Sequence, residues 1–173
     1  MTGPDPVLET ARLSLRRLSA GDVEFLLELL NEAPFLRNVG DKGVRTADDA
    51  RRYVLEGPVA SYERFGFGLY RVDSKESGEP VGICGLLKRD SLEDVDIGFA
   101  LLERHWSRGY ACEAASAVMD FGRTVIGLKR IVAITTPDNH GSIKVLEKIG
   151  LRFERIVSLP DLGGDKKLFA RDF

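Results

Sequence analysis

The order of hydrophobic and polar residues predicts a short strand followed by helices over the first third of the chain. Leucines alternate with arginine and serine from Leu13 to Leu18, which is typical of a strand with one buried face. Apolar residues then recur at helical spacing behind Asp22, an expected N-cap, and this helix is expected to stop at Pro34. Thr46 is expected to head a second helix. The predicted helical segments cover residues 23–31, 47–56 and 58–64.

From residue 65 the hydrophobic period changes to two, which predicts an antiparallel meander of three strands. Polar turns separate the three apolar runs, because Asp, Lys, Glu, Ser and Gly fill the intervals between them. Neighbouring strands joined by short polar turns pair antiparallel. The predicted strands cover residues 67–72, 81–87 and 95–101.

The last part of the chain mixes both periods. Apolar residues from Ala111 to Val125 step by three and four positions, which predicts a helix that stops at Gly127. A further helix is predicted to stop at Gly150. The remaining predicted elements are a buried strand over 131–134, a helix over 139–149 and closing strands over 151–159 and 167–170. We therefore predict an α+β fold with one mixed central sheet and helices on both faces.

Length and composition favour a single domain over residues 1–173 and exclude several classes of protein. The 25 Lys and Arg residues against 27 Asp and Glu residues leave no overall basic field for direct nucleic-acid binding. No run approaches the roughly 18 apolar residues of a membrane span, and the first residues lack the pattern of a signal peptide. Cys84 and Cys112 are isolated, so we expect two buried reduced thiols, no metal site and a cytoplasmic location.

One segment carries a chemical signal, the connection from the strand that ends at Leu101 into the helix that starts near Ala111. A loop that enters a helix N-terminus presents unpaired N–H groups and the positive end of the helix dipole. Gly109 permits close backbone approach, and Arg108 adds a positive charge, so the loop is a candidate pyrophosphate site. An ordinary strand-to-helix turn is the alternative interpretation. The loop has neither the P-loop nor the dinucleotide-binding glycine pattern.

Three ordered motifs make a family resemblance specific. They are D-I-G-F-A-L-L over 96–102, W-S-R-G-Y-A-C-E-A over 106–114 and T-P-D-N-H-G-S-I-K-V-L-E-K-I-G-L-R-F over 136–153. Together they resemble the GNAT superfamily of acyl-CoA-dependent N-acetyltransferases, and most of all the branch with the ribosomal-protein N-terminal acetyltransferases (RimJ/RimL type). The opening L-E-T-A-R-L-S-L-R-R-L over 8–18 resembles the first strand of that branch, so the likeness covers nearly the whole chain.

The resemblance implies a single GNAT-like domain with a splayed strand pair and assigns the cofactor site. The family's pyrophosphate loop falls on Trp106, Ser107, Arg108, Gly109, Tyr110 and Ala111. Trp106 replaces the family's Arg or Gln, and Ser107 replaces a Gly that is usual in this branch. The strand before the loop is implied to contact pantetheine through the backbones of Phe99, Ala100 and Leu101. The family's N-x-x-S pattern falls on Asn139 and Ser142, near the pantetheine arm and sulfur.

The expected reaction needs a group that takes a proton from the amine and a group that serves the departing sulfur. Asp96 is our first candidate for the base, because it matches the family's acidic position before I-G. Asp94 is expected on the same strand face, with Glu93 adjacent; a solvated acidic edge is the alternative interpretation. Ser142 is the candidate for the sulfur side, with a structural serine as the alternative. Leu146 stands where many members of the family carry a tyrosine.

The two histidines of the chain are not expected to take part in catalysis. His105 and His140 flank the predicted cofactor segments, and both are interpreted as surface residues rather than as catalytic groups.

We therefore predict an acetyl-CoA-dependent N-acetyltransferase that transfers acetyl directly to a primary amine, with a protein or peptide N-terminal amine as the favoured acceptor. At pH 7 an α-amine of pKa about 7.8 costs roughly 1 kcal/mol to neutralise, against about 4–5 for lysine. The alternatives are a small-molecule acceptor, such as an antibiotic or polyamine, and a non-catalytic acyl-CoA-binding sensor. Two loop-rich segments, residues 31–64 and 157–166, are expected to determine which acceptor binds. Monomer and homodimer both stay open.

Overall fold

The computed structural model describes residues 5–173, which are organised around one eight-stranded mixed sheet. The interpretation that no signal peptide is present rests partly on residues 1–4, which lie outside the described range. The spatial order of the strands is β1-β2-β3-β4-β5-β6-β8-β7. The strands are β1 (Leu8–Glu9), β2 (Leu13–Arg17), β3 (Leu69–Ser74), β4 (Pro80–Leu87), β5 (Asp96–Leu101), β6 (Arg130–Thr135), β7 (Arg152–Leu159) and β8 (Gly164–Asp172).

Within residues 5–173, six α-helices cover the two faces of the sheet; the sequence predicts helices on both faces but not α2. Their bounds are α1 (Val23–Leu30), α2 (Ala33–Asn38), α3 (Ala47–Val54), α4 (Ala60–Phe65), α5 (Tyr110–Phe121) and α6 (His140–Lys148). A π-helical turn, Leu55–Val59, joins α3 to α4, and a second one, Gly122–Ile126, extends α5. Gly127 ends that extension in the left-handed conformation at φ 84°, which confirms the predicted stop.

The first helical region differs from its prediction at both ends of α1. Asp22 lies at the N-cap position of α1 but makes no capping hydrogen bond to it. Ser19 instead caps the 3-10 turn (Ala20–Asp22) that precedes α1: its hydroxyl accepts the Gly21 N–H, and the Asp22 carboxylate accepts the Ser19 N–H in return. Pro34 does not stop a helix but lies in the first turn of α2, where a missing N–H costs nothing. The capping box of Thr46 at the start of α3 confirms its predicted role.

The two segments predicted as loop-rich are largely ordered elements. Residues 31–64 contain α2, α3 and most of α4, and residues 157–166 contain the end of β7, a 3-10 turn (Pro160–Leu162) and the start of β8. Short helices with few apolar positions give weak periodicity, so they take their stability from packing. Phe35, Ala50 and Val54 pack into the same buried cluster as the apolar face of α1.

The helices divide the core into two layers, one on each face of the sheet. Alternate residues of a strand point to opposite faces. On β4, Cys84 and Leu86 pack against α5 and α6, whereas Ile83 packs against α1 and α3. A third, smaller cluster lies beneath the last strands and consists of Leu92, Val132, Leu159 and Leu168.

The sheet is split between β5 and β6. These parallel strands share one register pair, Asp96 with Val132, and the Val132 N–H donates to Val95 O at 3.0 Å. Every other neighbouring pair is antiparallel, and all of these pairs except β1–β2, which has two register positions, have at least five. The strands diverge beyond Asp96, which gives the predicted splayed pair and an open space at the centre of the molecule.

Candidate active site

The splay between β5 and β6 opens into a cleft of about 490 Å³. Its walls come from α2 to α4, from the two diverging strands, from the N-terminal half of α6 and from the tip of the β7–β8 hairpin. Both segments that were expected to choose the acceptor contribute residues to it. Five of the predicted site residues line this cleft: Asp96, Phe99, Ala100, Asn139 and Ser142.

The edge of β5 that faces β6 has backbone groups free in the cleft, because the two strands share only one register pair. Val95 turns its carbonyl to β6, whereas the Leu102 N–H donates to Val81 O beside β4 at 2.9 Å. Because backbone groups alternate along a strand, Ile97, Phe99 and Leu101 face the splay. The carbonyl of Ala100 faces β4 instead, since a Cβ on Gly82 would lie 2.3 Å from it. Within residues 5–173, Phe99 therefore has a free N–H and a free carbonyl, while Ala100 contributes its side chain.

The predicted phosphate loop lies beyond the C-terminal end of β5 and does not line the cleft. Ser107 and Gly109 are both left-handed, at φ 62° and 80°, and α5 begins at Tyr110. Within residues 5–173, the N–H groups of Ser107, Arg108 and Gly109 have no hydrogen-bond acceptor. The loop therefore presents unpaired donors at a helix N-terminus, which is the geometry that binds anionic oxygens.

Arg12 approaches this loop from the start of β2, and sequence reasoning missed it. Its Nη2 lies 3.3 Å from the position of a Cβ on Gly109, and its guanidinium lies 4.6 Å from the Tyr110 ring centroid. Glu113 holds it there through an ion pair of 2.8 Å and also accepts the Thr10 hydroxyl at 2.5 Å. These contacts fasten the first turn of α5 to the N-terminal strands and bring a second cation to the loop.

Two side chains secure the connection between β5 and the loop. The Trp106 indole N–H donates to Leu101 O at 3.0 Å, which occupies one of the free carbonyls of β5. His105 is 7% exposed, so its interpretation as a surface residue is wrong. Within the described part of the chain neither of its ring nitrogens has a hydrogen-bond partner. Burial, with the charges of Arg104 and Arg108, holds the pKa of His105 below its usual value.

Asp96 is the buried acid of the cleft. It is 1% exposed, and the Arg89 Nε–H donates to its two carboxylate oxygens at 3.1 and 3.2 Å. Burial raises the pKa of Asp96 to about 6, although the charge of Arg89 opposes the shift. The alternative interpretation of a solvated acidic edge is therefore wrong for this residue. A carboxyl with such a pKa is ionised at neutral pH and able to accept a proton.

The other two acidic candidates lie elsewhere. β5 begins at Asp96, so Asp94 does not share a strand face with it, contrary to expectation. Asp94 instead pairs with Arg130 Nε at 3.1 Å, beside Glu154, which the same guanidinium binds. Glu93 is exposed, and neither residue lines the cleft.

The N-terminus of α6 forms the opposite wall. The Asn139 side-chain oxygen accepts the Ser142 N–H at 3.2 Å, which caps the helix and leaves the Ser142 hydroxyl to the cleft wall. Leu146 lies one turn further along and is 2% exposed. An apolar, buried side chain therefore stands where the family resemblance implied a tyrosine.

Three more cleft residues were missed by sequence reasoning. Arg89 lies in the β4–β5 hairpin, seven residues before Asp96, and hairpin pairing is the signal that could have found it. Lys42 and Tyr53 come from distant segments and have no such signal. Desolvation lowers the pKa of Lys42, and the charge of Arg89 lowers it further; burial raises the pKa of the Tyr53 hydroxyl.

No group of three or more His, Cys, Asp and Glu side chains within residues 5–173 could hold a metal ion. In the same range no helix is both long and apolar enough to span a membrane. Both cysteines are free thiols: Cys84 is buried, as expected, whereas Cys112 is only half-buried.

Comparison with known proteins decides which family has this arrangement. The family model described as an acetyltransferase (GNAT) domain matches residues 12–152, which is most of the chain. The chain belongs to the GNAT acetyltransferase family. Membership confirms the resemblance seen in the sequence and makes the protein an acetyl-CoA-dependent acetyltransferase.

Relatives of this GNAT acetyltransferase cover most of its length. YoaA of Bacillus subtilis strain 168, an uncharacterized N-acetyltransferase, is 29% identical over 154 residues, 88% of this chain and 86% of that protein. An acetyltransferase from Agrobacterium tumefaciens strain C58 superposes with a TM-score of 0.83 at 25% identity, covering 100% of this chain and 98% of its own. The RimL ribosomal L7/L12 alpha-N-protein acetyltransferase, solved with coenzyme A, superposes at 0.82 with 20% identity, covering 97% and 98%. This last likeness shows the fold alone.

Proposed function

We propose that this GNAT acetyltransferase transfers acetyl directly to a primary amine bound in the cleft, with a peptide or protein N-terminal α-amine as acceptor. The observation that carries the proposal is Asp96, a nearly fully buried carboxylate with a pKa near 6 at the point where β5 and β6 part.

The residues fit acetyl-CoA along the free edge of β5 and at the loop beyond its C-terminal end. The unpaired N–H groups of Ser107, Arg108 and Gly109 suit a pyrophosphate, with the loop completed by Trp106, Tyr110 and Ala111. The free backbone edge of β5 suits the amide groups of pantetheine, because an extended chain with amides can add to an open strand edge. The N–H of Phe99 is a donor for the thioester oxygen, where negative charge develops during attack.

Asp96 is proposed to take the proton of the amine. The amine nitrogen attacks the thioester carbonyl; the new C–N bond forms as the C–S bond breaks, and the amine proton passes to the Asp96 carboxylate or through water to it. We propose that Ser142, which lines the cleft, donates a hydrogen bond to the departing sulfur and that solvent supplies the proton that completes the thiol. No tyrosine takes that role at Leu146, so we propose that the sulfur leaves as a solvated thiolate.

The choice of an α-amine follows from the strength of this base. An ammonium group of pKa about 7.8 loses its proton to a carboxylate of pKa near 6 at a cost of roughly 2–3 kcal/mol, whereas a lysine ammonium of about 10.4 costs roughly 6. The difference between the two costs, roughly 3–4 kcal/mol, slows the reaction of a lysine amine by a further two to three powers of ten. Asp96 is therefore matched to an α-amine.

A turnover screen tests the proposal. Thiol release from acetyl-CoA is measured with three acceptor sets: N-terminal peptides with α-amines free, the same peptides N-blocked but with lysine, and small-molecule amines including polyamines and aminoglycosides. We expect turnover with the first set at rates at least tenfold above the second. Acetyl-CoA binding by calorimetry without turnover on any amine would instead favour the sensor.

Three further predictions accompany the function. They are a cytoplasmic location, a single domain over residues 1–173, and an oligomeric state that is either a monomer or a homodimer. Gel filtration with light scattering measures the oligomeric state.

A further inference from the structure

We infer that the acceptor of the cleft carries an anionic group near its amine, and that Lys42, Arg89 and Lys166 bind this group. The inference rests on the proposed function and narrows it: the cleft selects acidic amines and rejects polycationic ones.

The charge of the cleft wall is opposite to that of the chain. The whole chain has a formal net charge of −2. The ionisable side chains that line the cleft are predominantly cationic, although nothing in the composition requires it. They are Lys42, Arg64, Lys88, Arg89 and Lys166 against Glu56 and Asp96.

Several of these cations have unused hydrogen-bonding capacity. Arg89 spends its Nε–H on Asp96, and its two terminal nitrogens have no acceptor within residues 5–173. Lys42 and Lys166 have no carboxylate partner in the same range. Lys88 is different, since its ammonium donates to Leu92 O at 2.7 Å and to Arg89 O at 3.1 Å, and so holds the hairpin in shape.

Arg89 connects the anion site to the reacting amine. The Nε–H of its guanidinium donates to the proposed base. A carboxylate bound by the two terminal nitrogens of the same guanidinium therefore lies a few ångströms from Asp96. A planar guanidinium that binds two carboxylates side by side keeps both acids ionised. The amine of the acceptor would then lie between an anion of the enzyme and an anion of its own chain.

These cations are placed away from the loop that suits the cofactor's pyrophosphate. The loop from Trp106 to Ala111 does not line the cleft, and Asp96 and Leu101 are separated by the length of β5, about 17 Å. Arg12 and Arg108 already supply positive charge at the loop. The cleft cations therefore face the acceptor.

An excess of positive charge in a partly enclosed cleft repels polycations and attracts acids. Polyamines and aminoglycosides carry several ammonium groups, each of which would meet this wall. Two kinds of acceptor combine an α-amine with a nearby carboxylate: a peptide with Asp or Glu directly after its first residue, and a free amino acid. Both share the chemistry that Arg89 and the two lysines recognise.

The test compares acceptors that differ only in charge. Steady-state kinetics are measured with N-terminal peptides of sequence Ser-Glu-Glu, Ser-Gln-Gln and Ser-Lys-Lys on a common neutral tail, with free glutamate and with spermidine. We expect kcat/KM to fall about tenfold from the acidic to the neutral peptide and about tenfold again to the basic one, through KM rather than kcat. Free glutamate separates the two sources, because it competes with the peptide only if an amino acid is enough.

Charge reversal locates the effect. Lys42→Glu and Lys166→Glu should reduce the preference for the acidic peptide over the neutral one about tenfold, with the KM for acetyl-CoA unchanged. Lys129→Glu, the same charge change at an exposed lysine outside the cleft, should preserve it. Equal kcat/KM for the three peptides overturns the inference while leaving the proposed function intact. A rise in the KM for acetyl-CoA in the cleft variants also overturns it, because those cations would then serve the cofactor. Absence of turnover on any amine contradicts the proposed function itself.

Discussion

The two ends of β5 are built in different ways. At its C-terminal end, backbone donors of Ser107 to Gly109 form the candidate phosphate site, and two left-handed residues shape them. At its N-terminal end, the acid–base chemistry belongs to side chains, with Asp96 buried against Arg89. A backbone site needs a short contiguous pattern, whereas a side-chain site is assembled from segments far apart. The first end can therefore remain constant across a family while the second changes with the acceptor.

The largest expected effect comes from removing the acid at the acceptor end. Asp96→Asn should lower kcat by about 100-fold or more, because the amide cannot accept the amine proton. It should not destabilise the protein at pH 7.5, since burying the charged form, with a pKa raised to about 6, costs the folded state about 3 kcal/mol. Steady-state kinetics and urea unfolding measure the two quantities.

Asp94→Asn is the matched control for this substitution. It removes a half-exposed ion pair with Arg130, so it should leave kcat unchanged and cost at most about 1 kcal/mol. If the two variants lose equal activity, the claim that Asp96 acts as the base while Asp94 has no part in the reaction is wrong.

The next effect tests the cofactor end through Gly109. Gly109→Ala forces an alanine to φ 80° and sets a methyl group 3.3 Å from Arg12, so the KM for acetyl-CoA should rise about tenfold or more. Gly127→Ala imposes the same strain at φ 84°, about 1 kcal/mol, at the far end of the same helical segment and should leave that KM unchanged. Unaltered acetyl-CoA affinity in Gly109→Ala would contradict the placement of the phosphates.

A smaller, graded effect is expected from pH. The ratio of kcat/KM between wild type and Asp96→Asn should fall about tenfold per unit below pH 6 and stay flat above pH 7, since protonated Asp96 cannot act as a base. The folded state holds this proton up to about pH 6, and the unfolded chain releases it near 3.8. The stability of the wild type should therefore fall, relative to the variant, as pH rises from about 4 to 6. A ratio independent of pH would remove Asp96 from the proton transfer.

The smallest effect concerns α6. Ser142→Ala should lower kcat about fivefold at unchanged acetyl-CoA affinity, because a thiolate loses one hydrogen bond of about 1 kcal/mol. Asn139→Ala is its structural counterpart: it deletes the cap of the helix and should cost about 1 kcal/mol of unfolding free energy. If Ser142→Ala loses stability but no rate, the serine is structural.

Sequence reasoning reached the cofactor end more completely than the acceptor end, and for a physical reason. The loop from Trp106 to Ala111 is one contiguous segment and the α6 cap is another, so the family motifs that each segment resembles could assign their residues directly. Arg12 was missed because it lies just before β2, almost one hundred residues before the loop that it contacts. Its position is decided by the fold and by the Glu113 ion pair, which no local pattern encodes.

At the acceptor end the misses follow from weak periodicity and from the exact start of a strand. α2 contains six residues with a proline in its first turn, so its helical pattern is too short to detect. The shared face expected for Asp94 and Asp96 fails because β5 begins only at Asp96. Lys42 and Tyr53 reach the cleft from helices and turns that pack onto the opposite side of the sheet from α5, and that packing is a tertiary property.

The junction of β5 and β6 divides the sheet into two leaves that meet at one register pair. A change of tilt between the leaves alters the width of the cleft without breaking any ladder bond between β4 and β5. The small apolar cluster of Leu92, Val132, Leu159 and Leu168 lies beside this seam and includes Val132, the register partner of Asp96. Substitutions in that cluster should therefore change the width of the cleft. The range of acceptors can then change through core residues while the acetyl-CoA loop stays the same.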